Sequence, residues 1–151
     1  MMTRMASRID LPSLPANIRE ALQEPKLNPG AAPERIAEAA AALDVTFPQD
    51  YIAFMVATNG AEFYLGESCV IVYPVEELTE WNQAEDGFPS YFKVFGSNGG
   101  SEKFAFDTRA RPHPIVVVPH YKPSDEDAIA QGTSLHEFLG RVLRDEAFNE
   151  Q

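Results

Sequence analysis

A chain of 151 residues with 44% hydrophobic and 11% aromatic content is long enough for one domain with a real core. Its formal charge of −11, from 23 acids against 12 bases, has the wrong sign for gripping nucleic-acid phosphates, which takes clustered Lys and Arg. Apolar runs such as Ala39 to Leu43 fall far short of the roughly 20 residues a membrane helix needs, and one cysteine, Cys69, cannot form an internal disulfide.

In chain order, a short helix is expected around Ala16 to Leu22, between prolines, followed by a Pro/Gly linker, KLNPGAAP. Pro33 suits a first helical turn, and Ile36, Ala39, Ala40 and Leu43 share one face of a helix running to about Leu43. A second helix should start at Pro48 and end at Asn59-Gly60, with glycine supplying a left-handed terminus. Its Tyr51, Ile52, Phe54, Met55 and Val56 make it apolar around most of its circumference, so it belongs to the core.

Strands follow at Ala61 to Leu65 and Cys69 to Tyr73, with Cys69 read as a small buried hydrophobe. Pro74 to Asp86 is acidic and reads as a helical turn or short helix, then Tyr91 to Phe95, Lys103 to Asp107 and Ile115 to Pro119 read as strands, the last buried on both faces. Ser134 with Glu137 makes a capping-box pattern for a closing helix whose Leu135, Phe138, Leu139, Val142 and Leu143 keep helical spacing. Helices first, strands in the middle and one helix last indicate a single α+β domain with a central, mainly antiparallel sheet packed by helices.

The run FGSNGGSEKFAFD tests whether the chain cradles a phosphate. It fits neither G-x-G-x-x-G nor G-x-x-x-x-G-K-[ST], and Lys103-Phe104-Ala105-Phe106 after it alternates like a strand. A hairpin is therefore expected, with an odd-length loop, Asn98-Gly99-Gly100, and a left-handed glycine. That register sets Val94 opposite Phe104 and Phe92 opposite Phe106 on one face, leaving Lys93, Phe95, Lys103 and Ala105 on the other. Asp107, ending the strand, should accept backbone N–H groups from the next turn. His113, His120 and His136 have no metal-ligand spacing and are assigned ordinary surface or capping roles; no nucleophile elbow is present. No catalytic residue, metal or cofactor is expected.

Charge is unevenly placed. From Ile36 to Phe92 there is no Lys or Arg but there are ten acids, leaving 13 acids against all 12 bases elsewhere. Such a stretch serves solubility or attracts a basic partner.

Three segments together resemble the SUKH superfamily, the SMI/KNR-like cell-wall-assembly regulators and bacterial toxin-immunity proteins. They are Phe47-Pro48 through Tyr51, Phe54 and Met55 to Asn59-Gly60; Gly96 with Asn98-Gly99-Gly100, Glu102 and Phe104-Ala105-Phe106-Asp107; and Ser134 with Glu137-Phe138-Leu139. The resemblance spans roughly 33–143, with residues 1–32 as an N-terminal extension, 33–144 as the SUKH-like domain and 145–151 as a tail. It implies a non-enzymatic protein-binding domain: an immunity protein that neutralises a polymorphic, often nuclease, toxin, or else an intracellular regulatory scaffold or adaptor; a cytoplasmic location is expected separately, from the short apolar runs and the single cysteine. A protein partner is thus expected, with no nucleic acid and no membrane. Its contacts are assigned to Glu76, Glu77, Glu80, Glu85 and Asp86, with Trp81 and Tyr91 as aromatic anchors.

Overall fold

The computed structural model describes residues 13–83, 88–121 and 123–148. Two helices bracket the first strand: α1 (Ala16–Ala21), β1 (Gln23–Leu27) and α2 (Pro33–Leu43). Then come α3 (Gln49–Ala57), β2 (Ala61–Leu65), β3 (Ser68–Val72), a 3₁₀ turn (Val75–Glu77) running into the short helix α4 (Leu78–Trp81), and β4 (Phe92–Ser97). The chain continues through β5 (Glu102–Asp107), β6 (Ile115–Pro119), a second 3₁₀ turn (Asp125–Asp127), β7 (Ile129–Ala130) and α5 (Leu135–Leu143). The strands form one seven-stranded sheet in chain order with every neighbouring pair antiparallel, as the α+β reading requires.

Pro33 opens α2, which closes at Asp44 in the left-handed region (φ 56°) with its N–H bonded to the carbonyls of Ala40 and Ala41. Helix α3 starts after Pro48 but does not close on a left-handed glycine: Thr58 is already extended. Gly60 (φ 92°) turns the chain into β2 instead, at a point where a Cβ would lie 2.8 Å from the carbonyl oxygen of Val72. At α5, Ser134 Oγ accepts the Glu137 N–H at 3.1 Å, while the Glu137 carboxylate takes Thr133 N–H at 2.8 Å. Asp50 of α3 adds a second cap, accepting the N–H groups of Leu135 and His136 at 3.0 and 2.8 Å.

One face of the sheet carries the core. In β2, Ala61, Phe63 and Leu65 are buried while Glu62 and Tyr64 point the other way. Tyr51, Phe54 and Met55 of α3 and Leu135, Phe138, Leu139 and Val142 of α5 close over that face. The centre is aromatic: Phe95 stacks on Phe106 at 4.5 Å, Tyr51 meets Phe106 edge-on at 5.3 Å, and Phe104 meets Phe138 at 4.7 Å. The Tyr51 hydroxyl has no hydrogen-bond partner among the described residues, and burial pushes its ionisation well above the ordinary tyrosine range.

Four further expectations change. The β4–β5 hairpin exists and its loop is odd, with Gly99 left-handed (φ 79°), but the loop residues are 99–101, between Asn98 and Glu102, whose backbones bond. A bulge at Phe95 then shifts the register, so Val94 pairs Ala105, Lys93 pairs Phe106 and Phe92 pairs Asp107. Counting by alternation has no place for an extra residue, and the bulge lets Val94 and Phe95 both be buried. The linker starts later than expected, because Lys26 and Leu27 belong to β1 and pair with Glu62 and Ala61. The edge position of β1 explains how Pro25 fits, and Leu14, Ile18 and Leu22 around it are 1–2% exposed.

Cys69 is half-buried on the face away from the core, as the register partner of Tyr64. Burial, then the charge of Glu62, push its thiol up, against a hydrogen bond with Tyr64 that lowers it. His113 is buried at 4% exposure, not on the surface. Its Nε2 accepts Thr46 N–H at 3.2 Å and its Nδ1 lies 2.6 Å from the Ala110 carbonyl, so the hydrogen sits on Nδ1.

Candidate partner-binding site

The outer face of the sheet is built by cross-strand register. Lys26, Glu62, Ile71, Ser97 and Lys103 are successive partners across β1 to β5 and form one row on that face. At the Ile71 to Lys103 end, the segment running into α4 rises beside the row, and it is tied down twice. On one side Asn59 accepts Val75 N–H at 2.9 Å and donates to Glu76 at 2.8 Å, and Arg35 adds an ion pair to Glu76 at 3.3 Å. On the other side β3 leaves β4 after Tyr73 N–H bonds the Phe95 carbonyl, which would strand the backbone of Val94. The Asn82 side chain takes up both groups, accepting Val94 N–H at 2.8 Å and donating to its carbonyl at 2.9 Å.

This double anchorage fixes Trp81. Its ring lies on Tyr73 at 4.3 Å and 7°, its Nε1–H donates to Glu77 at 3.3 Å, and Lys103 Nζ stands 4.8 Å from the ring centre. Beneath it the Tyr73 hydroxyl hydrogen-bonds the Ser97 side chain; burial raises the phenol against that bond, and Glu77 raises it further. Trp81 nonetheless stays 39% exposed, and Tyr64 on the same sheet face is 41% exposed. Beside Trp81 runs a shallow groove of about 500 Å³ whose walls include Lys26, Glu62, Ile71, Tyr73, Glu77 and Trp81.

Of the residues assigned to partner binding, Glu76, Glu77, Glu80 and Trp81 share this segment. Glu76 is committed to Asn59 and Arg35, and the Asn59 hydrogen bond is the main reason its carboxyl is held below the usual range. Glu85 and Asp86 lie outside the described residues. Tyr91 belongs to a different cluster. The Arg109 guanidinium lies 4.1 Å over its ring, its hydroxyl donates to Asp125, and Arg109 also pairs with Asp125 at 3.0 Å. Nor does the acidic span all face a partner, since the Asp50 carboxylate is taken up by the cap of α5. Sequence reading missed Tyr73, Glu62 and Lys26. Lys103 was visible on the mixed face of the hairpin, but nothing local in sequence couples it to Trp81.

Residues 30–141 match the SMI1 / KNR4 family (SUKH-1). The chain belongs to this family. It is also 33% identical over 101 residues, 66% of this chain and 67% of the relative, to a Bacillus subtilis (strain 168) protein, "Uncharacterized protein YnaB". Members of the SMI1 / KNR4 family are generally non-catalytic immunity or regulatory proteins, which makes this chain a protein-binding or immunity-type domain. The motif residues that it carries build scaffold. Asn98 Oδ1 accepts the N–H groups of Gly100 and Glu102 at 3.0 and 3.2 Å, and Asp107 accepts Arg109 N–H at 3.1 Å, as expected of an acid ending a strand. Tyr73 and Trp81 lie between the motif segments, and Lys103 fills an unspecified position within one. Among the described residues no three or more His, Cys, Asp or Glu are grouped to hold a metal ion, and no helix is long and apolar enough to cross a membrane.

Proposed function

We propose that the protein is a cytoplasmic immunity protein that binds and neutralises a toxin domain with a basic, nuclease-like surface, docking it on the outer sheet face around Trp81. The observation that carries this reading is the exposed Trp81 ring, held on Tyr73 and by Glu77 with Glu80 beside it. A rigid, partly exposed Trp on an ordered platform has the profile of an interface hot spot, because little side-chain entropy remains to be lost on binding. Glu77 and Glu80 supply acidic contacts, with Glu76 as their support. Glu85, Asp86 and Tyr91 are further contacts in the same proposal, Tyr91 from its separate cluster with Arg109 and Asp125. A second reading, an intracellular regulatory scaffold or adaptor, is favoured by Lys26 and Lys103, which give the face a mixed charge suited to partners other than a basic toxin.

Co-expression with toxins encoded beside the gene tests the first reading. The intact protein should restore growth and co-purify with its toxin, and Trp81→Ala should weaken the complex by about 2 kcal/mol or more, roughly 30-fold in Kd. Failure of the intact protein to rescue growth or form any complex would sink it. Capture of a non-toxin regulatory partner through the same face would favour the second.

A further inference from the structure

The geometry points to the Trp81 ring as a cation receptor: Lys103 holds its place in the free protein, and a guanidinium from the partner displaces Lys103 and pairs with Glu77. This rests on the docking reading above and names the chemistry of its central contact, an arginine on a basic protein surface.

Four observations combine. The Lys103 ammonium is 4.8 Å from the ring centre, so this ring already accepts a cation in this place. Tyr73, stacked at 4.3 Å, supports the indole so that it cannot turn away. Glu77 holds one carboxylate oxygen on Nε1–H at 3.3 Å, which leaves its other oxygen for a donor arriving beside the ring. Glu62 and Glu77 both line the groove that Trp81 borders, two carboxylates against the single Lys26 there, so the neighbourhood of the ring carries net negative charge. Lys103 is the weaker occupant. Its ammonium is strongly hydrated and sits on a flexible stem, whereas a planar guanidinium stacks on an indole while its edge donates to a carboxylate. Its departure costs no more than one solvent-exposed cation–π contact.

Trp81 is the sole tryptophan of the chain, so its emission and its indole N–H resonance report this ring alone. The full chain is titrated with N-acetyl-arginine amide and with N-acetyl-citrulline amide, which has the same shape without the charge. The arginine compound should give a saturable response with Kd on the order of millimolar, as expected for one small contact, and citrulline none. Lys103→Met, with the competitor removed, should bind arginine roughly two- to five-fold more tightly, the range of one exposed cation–π contact. Glu77→Gln should bind it more weakly. Lys103→Gln must repeat the Lys103→Met result, and unchanged melting of each variant shows that the fold is intact. Equal responses to arginine and citrulline, no response in either protein, or no gain on removing Lys103 would overturn the proposal. Those failures alongside intact growth rescue would leave docking standing, whereas lost rescue with an intact arginine response would remove the docking reading alone.

Discussion

Asp107 shows how a charged residue in this chain can be structural. Its carboxylate accepts the Arg109 N–H at 3.1 Å and two guanidinium bonds at 2.9 and 2.8 Å. The Arg109 side-chain hydrogen bonds are the main reason its pKa is lowered, against burial that raises it. A carboxyl with a lower pKa folded than unfolded stabilises the fold above its unfolded value, about 4, and loses that contribution as pH falls through the folded value. Solvent reaches the Arg109 side chain at 42% exposure, so Asp107→Asn should cost about 1 kcal/mol at pH 7. Denaturant unfolding at pH 7 and again below pH 3 checks this: the gap between the two proteins should close in acid. This role was legible from position, because an acid ending a Phe-x-Phe strand has a turn to hold. The burial of His113 was not, since its partner at Thr46 is 67 residues away.

At the scale of elements, periodic segments were readable and interruptions were not. Helix α2 and the apolar stripe of α5 follow from spacing, since one face must be covered. The Phe95 bulge and edge strand β1 do not follow, because in each the local pattern is broken by one residue that only the neighbouring strand accommodates. Helix α4, with four residues, is too short to stand by propensity and is held by contacts alone. Asn82→Ala tests that account. It would leave the N–H and carbonyl of Val94 without their partners, costing about 1–3 kcal/mol, and would free the end of the element carrying Trp81. Chemical denaturation should record the loss, and Trp81 emission in the native state should move to longer wavelength as the ring leaves Tyr73. A destabilised variant with unchanged native emission would show that the ring is fixed by its stack rather than by its helix.

For the whole molecule, the question is what the charge of −11 does when ten of the acids fall in a single base-free stretch. The fold commits some of them to local structure, the Asp50 carboxylate to the cap of α5 and Glu76 to its anchor, and sets Lys26 and Lys103 into the same outer face as Glu62. Shape and charge therefore have separate tasks in the proposed complex. The net field acts at long range, raises the encounter rate with a basic partner and is screened beyond about 8–10 Å at physiological salt. Trp81 acts only after contact, when its exposed surface is desolvated. Glu80→Lys, at an exposed position, should thus slow association and flatten its salt dependence while leaving dissociation nearly unchanged, and Trp81→Ala should speed dissociation with little effect on association. Binding kinetics of both variants with the cognate partner, at low salt and at about 0.5 M, separate the two roles. A Trp81→Ala effect confined to the association rate would mean that the ring steers the approach and that the anchor lies elsewhere on the sheet.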